Sequence, residues 1–164
     1  MMNARLKGHY PGAIGKITEL HATYYYKNWG FDVSFETQVG RELSEFISDF
    51  KEGRDGFWIA EVDEQFAGSV AIDGRGGNVD GVRLRWFIVS PEYQGKGIGR
   101  TLLRTAVTFC KSVDYTDVYL WTFKGLDAAR ALYEEKGFRL HEEHDVKQWG
   151  NTITEQKFVF QFED

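Results

Sequence analysis

The sequence predicts one α/β domain built on a mixed sheet with helices on both faces. Three observations support that class. Apolar residues recur at helical spacing through two segments near the start of the chain. From about residue 57 the pattern changes to short alternating runs that read as strands. Strand, helix, strand and helix then follow one another before two final strands, with no repeat, low-complexity tract or linker between them. With 164 residues the chain can bury one sizeable core, so residues 1–164 are read as a single domain.

Residues 4–9 read as a short first strand. Past Pro11-Gly12, the segment 13–29 places Ile14, Ile17, Leu20, His21 and Tyr24 on one helical face. Asp32 or Ser34 can cap a second helix over 35–51, with Phe35, Val39, Leu43, Phe46, Ile47 and Phe50 at its apolar positions. Residues 57–62 and 66–72 flank Asp63-Glu64-Gln65 as a hairpin. Gly74 to Gly81 reads as a flexible loop, and 82–89 as the strand that follows it. A helix over 97–112, a strand over 117–123, a short helix around Tyr133, and strands near 138–147 and 153–162 complete the order. Pro11 and Pro91, the two prolines, both fall at element boundaries.

Composition excludes several function classes. Hydrophobic content of 42% with 27% charged residues is that of an ordinary soluble domain. A net charge of −5 argues against general affinity for nucleic acid. No apolar run approaches the ~20 residues that span a bilayer, and no signal-like start is visible. A cytoplasmic protein without membrane or nucleic-acid partners is expected. The single cysteine, Cys110, excludes an internal disulfide and fits a reducing compartment. Flanked by Val107 and Phe109 in mid-helix, it reads as a packing residue. His141, His144 and Asp145 do not read as a metal cluster, because residues 141 and 144 of a strand face opposite sides. No metal is expected.

The run from Phe87 to Leu103 carries the chemistry. An apolar strand ends at Val89, a turn follows at Pro91, and Gln94-Gly95-Lys96-Gly97-Ile98-Gly99-Arg100 opens directly into an amphipathic helix. Glycines at 95, 97 and 99 let a ligand approach the main chain, and the new helix presents unpaired N–H groups. Lys96 and Arg100 add positive charge. This is an anion cradle suited to a phosphate or diphosphate. A P-loop is excluded because Lys96 is followed by Gly97, and a dinucleotide fingerprint because the spacing is G-x-G-x-G past mid-chain.

What remains, Gln94 with Gly97 and Gly99 after a strand, resembles the acetyl-coenzyme A (acetyl-CoA) loop of the GNAT superfamily of N-acetyltransferases. A second segment, Ala128-Ala129-Arg130-Ala131-Leu132-Tyr133-Glu134-Glu135-Lys136-Gly137-Phe138, resembles that superfamily's A-x-x-L-Y-x-x-x-G-F helix. The wording of Leu84–Val89 and of Tyr119–Arg130 is similar to the acetyltransferase half of MarR–GNAT fusion proteins, although this length leaves no room for the DNA-binding half. The resemblance implies a mostly antiparallel sheet splayed into a V-shaped cleft, with acetyl-CoA as donor and the amine of a small molecule as acceptor. It implies that the pantetheine arm lies along backbone groups of Ile88 and Val89, and that the diphosphate rests on amides from Gly95 to Arg100. Tyr133 matches the position of the general acid; a phenol of pKa about 10 keeps its proton at neutral pH. Homodimers are common in the superfamily, and the final strands are the expected place for pairing.

Two departures stand out. The superfamily usually has Asn where this chain has Leu126, and many members carry a carboxylate where it has Arg83. Arg83 and Arg85, on one strand face, cannot act as bases. They can hold an anionic group of the acceptor, or pair with nearby acidic side chains. Glu36, Glu61, His21 or a water chain remain as proton acceptors, with His21 titrating nearest neutral pH. The aromatic group His21, Tyr24, Tyr25, Tyr26, Trp29 and Phe31 is expected to roof the acceptor side, with about half of it packed in the core. Direct transfer in a ternary complex is expected, since no nucleophile motif is present. A GNAT scaffold that binds acyl-CoA without turnover is the alternative.

Overall fold

Among the described residues, seven strands form one sheet in the order β1-β2-β3-β4-β5-β7-β6, and every neighbouring pair is antiparallel except β4 and β5. The strands are β1 (Arg5–Lys7), β2 (Gly56–Val62), β3 (Gln65–Gly76), β4 (Gly81–Val89), β5 (Asp117–Phe123), β6 (Arg139–Gln148) and β7 (Asn151–Gln161). The helices are α1 (Ala13–Trp29), α2 (Val33–Ser48), the single turn α3 (Gly77–Asp80), α4 (Ile98–Ser112) and α5 (Asp127–Lys136). The computed structural model describes residues 3–163.

Amphipathic periodicity decides which face each helix covers. Leu102, Leu103, Ala106, Val107 and Cys110 of α4 pack with Val70, Val82, Leu84 and Leu120 on one face of the sheet, joined by Tyr133 of α5 and Phe138. Ile17 of α1 and Phe35, Val39, Leu43 and Phe46 of α2 pack with Phe57, Ile59, Ala71 and Trp86 on the other. Helices therefore lie on both faces, as the alternation of periods indicates.

Asp32, not Ser34, caps α2: its Oδ1 accepts from the Ser34 amide at 3.0 Å, and the helix starts at Val33. The first strand is shorter than the pattern suggests, covering only Arg5–Lys7. The expected loop from Gly74 to Gly81 is not a loop. β3 continues to Gly76, α3 makes one turn, and β4 begins at Gly81. Buried Asp55 accepts the Gly74 amide at 2.8 Å, while Asn78 Oδ1 accepts the Thr116 amide at 2.9 Å. Glycines here allow close approach rather than looseness.

Candidate active site

The site is made by the failure of two strands to stay together. β4 and β5 share one parallel bridge, Arg83 with Tyr119, and no further pairing among the described residues. Both strands run on in the same direction, to Val89 and Phe123, and a V-shaped cleft opens between them.

A bulge in β4 shapes one arm of the V. Ser69 of β3 pairs with Ile88 and Ala71 with Arg85, so β4 carries one extra residue, and Trp86 takes a left-handed φ of 49°. The Ser69 hydroxyl, fully buried, donates to the Trp86 carbonyl at 2.8 Å and holds this conformation. The bulge puts neighbours on one side: Arg85 ion-pairs with Glu42 of α2, and Trp86 packs on Phe46 of α2. It also sends Phe87 and Val89 to the α4/α5 face. Simple alternation would have kept Arg83, Arg85 and Phe87 together. Past the bulge, Gly68 of β3 permits close approach, since a Cβ there would lie 2.5 Å from the Ile88 carbonyl oxygen.

Two cavities occupy the V. The first, of about 640 Å³, runs from the loop before α4 to the start of α5. Ile88, Val89, Gln94, Gly95, Gly97, Gly99 and Arg100 line one side, and Tyr24, Tyr25 and Trp29 of α1 roof it. Gly97 has φ 87° and stands immediately before α4, whose first amides have no acceptor within the helix. A Cβ on Gly95 or Gly97 would meet no protein atom within 4 Å, so both α-carbons face open space that a ligand can enter. Gly99 differs. A Cβ there would lie 3.1 Å from Leu132 Cδ1, so its small size serves the packing of α4 against α5.

The remaining loop residues divide by position. Gln94 Nε2 donates to the Val89 carbonyl at 3.0 Å and closes the turn. The Ile98 side chain is buried in the core, leaving its backbone to the cradle. Lys96 is exposed and lines neither cavity, and Arg100 shares its charge with Glu135 at 3.1 Å. The positive charge expected at the cradle is therefore weaker than the composition of the loop suggests. These residues fit a diphosphate held chiefly by main-chain amides.

The second cavity, about 370 Å³, lies deeper in the V, toward the β4–β5 bridge. Arg83, Arg85 and Trp86 of β4, Trp121 of β5, His21 and Tyr25 of α1, Gln38 and Glu42 of α2, and Glu155 of β7 all reach it. So does Tyr133 of α5. The two cavities share four wall residues, Tyr25, Phe87, Leu126 and Ala129. Leu126 makes this junction apolar where an amide side chain was the usual expectation.

Several expected residues are placed differently. Glu36 is exposed and lines neither cavity; the phase of α2, with Phe35, Val39 and Leu43 inward, turns Gln38 and Glu42 to the cleft instead. Glu61 is buried on β2 against Lys7 at 3.0 Å, away from both cavities. Tyr26 is 69% exposed, whereas Phe31 is a core residue stacked on Tyr25. Trp149 was not anticipated. It sits with Gly150 in the tight β6–β7 turn, both at positive φ, and its Nε1 donates to Gln38 Oε1 at 2.8 Å, pinning that hairpin over α2. A Trp-Gly dipeptide between two strands is the signal that could have marked it.

His21 corrects one expectation. Its Nδ1 lies 2.8 Å from the Ile17 carbonyl oxygen, which only accepts, so Nδ1 carries the proton and Nε2 keeps its lone pair. Burial pushes the imidazole down to about 4, opposed in part by the Ile17 bond. It is thus neutral at pH 7 and a much weaker base than an exposed histidine. The sign follows for stability: a depressed folded pKa stabilises the fold fully above about 6.5, and that contribution is lost as pH falls to about 4. Between pH 7 and pH 4, wild type is expected to lose up to about 3 kcal/mol more unfolding free energy than His21→Phe, measured in urea at both pH values. An equal loss in the two proteins would mean that His21 takes up its proton as readily in the fold as in the unfolded chain.

Similarity to known proteins agrees with this geometry. A model of the acetyltransferase (GNAT) family matches residues 15–138. The chain belongs to that family. The GNAT chain is 34% identical over 106 residues to N-acetylaspartate synthetase of Xenopus tropicalis, a match covering 62% of this chain and 38% of that protein. It is 32% identical over 111 residues to N-acetyltransferase 8 of Rattus norvegicus, covering 64% and 50% respectively. The chain thus spans half or less of the length of these relatives. Among solved structures, a GNAT acetyltransferase of Staphylococcus aureus Mu50 superposes with a TM-score of 0.77 at 15% identity, over 98% of this chain and all of the other. The yncA protein of Salmonella typhimurium, solved with acetyl-CoA, gives 0.74 at 15% identity over 98% and 95%. At such identity these structures establish the shared fold. No described helix is long and apolar enough to cross a membrane.

Proposed function

We propose that this GNAT protein transfers an acetyl group from acetyl-CoA to the amine of a small molecule, with donor and acceptor bound together. The observation that carries the reading is the meeting of two cavities at Tyr25, Phe87, Leu126 and Ala129, below a loop whose main chain faces open space. Acetyl-CoA supplies an activated thioester when bound. Amides from Gly95 to Arg100 hold its diphosphate, and the Ile88–Val89 edge of β4 guides its arm toward the junction. The four shared residues bring amine and thioester together and, being largely apolar, exclude water from the transfer.

Tyr133 donates the proton that the departing sulfur needs, and the proton that the amine loses passes through water to solvent, from which the phenol is reprotonated. It is buried beside Phe87, with ring centroids 5.7 Å apart, and burial with the nearby Tyr25 raises its pKa above the ordinary phenol value. The phenol therefore stays protonated across the neutral range. Cys110 is excluded as a nucleophile by position: it is fully buried in the α4 core, and burial pushes its thiol up to about 12.

A second reading, an acyl-CoA-binding module without turnover, draws on Leu126 and on the absence of a β4 carboxylate at Arg83. Coenzyme A thiol release in the presence of a panel of amines, amino acids and peptides separates the two. Turnover with any acceptor supports transfer. Tight acetyl-CoA binding with no release from any acceptor favours the module. A second copy would pair along β6, the sheet edge, which is exposed over most of its length.

A further inference from the structure

The inner cavity holds two arginines in very different states. Arg85 is satisfied: it ion-pairs with Glu42, and its Nη1 lies 3.4 Å from Asp73. Asp73 is itself held by Arg75 at 2.7 Å. Arg83, two residues away on the same side of β4, has no carboxylate within ion-pair distance among the described residues. Its Nε is buried with no hydrogen-bond partner, and its side chain lines the cavity.

A guanidinium whose buried Nε has no hydrogen-bond partner is costly to the folded protein on its own. Burial first and then repulsion from Arg85 act against its charge, outweighing weaker support from Tyr119, Glu42 and Asp73. The backbone offers it no freedom to escape. Arg83 is the residue that bridges β4 to Tyr119 of β5, so its base is fixed at the vertex of the V, beyond the junction where transfer would occur. Of the carboxylates in the wall, Glu42 is paired with Arg85, and Glu155 lies 3.0 Å from His144 Nε2 on the neighbouring strand β6.

We propose that Arg83 determines acceptor specificity by binding a carboxylate of the acceptor at the closed end of the cleft, so that the preferred acceptors are amines that carry a carboxylate, such as amino acids. The proposal rests on the transfer reading above. One uncompensated guanidinium matches one negative charge, and its fork suits the two oxygens of a carboxylate. A phosphate dianion would call for a second unpaired cation, and Arg85 is not available. Arg85 is a positioning residue: it ties β4 to α2 through Glu42 and leaves Arg83 as the open contact.

The test compares acceptors that differ only at the carboxylate. Each amino acid is assayed beside its carboxamide and its decarboxylated amine, with O-phosphoethanolamine as the phosphate probe. Wild type is expected to prefer the carboxylate member in kcat/KM by roughly 10- to 150-fold, the worth of one charged hydrogen-bonded contact. Arg83→Met should erase that preference chiefly by raising KM for carboxylate acceptors, and Arg83→Lys should restore part of it. Turnover of amines with no preference for the carboxylate, or a preference for O-phosphoethanolamine, overturns the proposal alone. Calorimetry of N-acetylglycine and N-acetylglycinamide, with coenzyme A present, reads the contact without turnover. Binding of the acid but not the amide, lost in Arg83→Met, upholds the carboxylate site even if no amine is acetylated, in which case the transfer reading fails separately. The melting temperature of Arg83→Met should equal or exceed that of wild type, because the variant removes a cation whose buried Nε has no partner; a large fall would show that Arg83 is structural and overturn the assignment.

Discussion

Tyr133→Phe is expected to lower coenzyme A thiol release by roughly 10²- to 10⁴-fold, the usual contribution of a positioned general acid, while acetyl-CoA affinity stays within about twofold of wild type. The substitution deletes a single oxygen. The ring keeps its packing against Phe87, Phe138 and Phe158, with centroids 5.7, 5.9 and 6.1 Å away, so stability should change by less than about 1 kcal/mol. Position is what makes the hydroxyl relevant. Ala129, which lines both cavities, lies one turn earlier on the same face of α5, so the helix delivers Tyr133 beside the junction. Because burial raises its pKa, the wild-type rate should show no basic limb from loss of the Tyr133 proton across the neutral range. Calorimetric titration of acetyl-CoA and a thiol-release assay check both halves. Equal turnover in the variant would remove Tyr133 from the mechanism and leave it a packing residue.

Gly97→Val should abolish measurable acetyl-CoA binding. At φ 87° a β-branched residue is strained, at a cost of roughly 1–2 kcal/mol. The protein itself offers no obstacle, since a Cβ would meet no atom within 4 Å; what it meets is the space above the cradle. The loss should therefore exceed what strain explains. Gly97→Ala, which carries the strain with less bulk, should bind more weakly than wild type but still detectably. Melting temperatures report the strain and titration of acetyl-CoA reports the blockage. Full affinity in Gly97→Val would place the diphosphate elsewhere.

These two residues show how far the chain could be read without its fold. The cradle and the α5 segment were legible because each is a run of neighbours: Gly97 before an amphipathic helix, and Tyr133 four residues ahead of Gly137. Helix faces were legible for the same reason, as Phe35, Val39 and Leu43 repeat at helical spacing. Equivalence among the loop glycines was misleading. Gly97 faces open space, whereas Gly99 faces Leu132, a residue more than thirty positions away in the chain. Arg83 and Arg85 looked alike for the same reason: their difference lies in Glu42 and Asp73, which come from α2 and β3.

Contiguous residues alone carry the α/β class, the boundaries of most helices and strands, and the loop that marks the GNAT family, because periodicity, capping and glycine placement act over a few residues. Partnerships do not. The bulge at Trp86 depends on the Ser69 hydroxyl of the adjacent strand, and the neutral state of His21 depends on how deeply α1 is buried. The cleft depends on β4 and β5 parting after Arg83 and Tyr119. Pairing, burial and charge compensation join residues distant in sequence, and only folding brings them within the few ångströms over which those forces act.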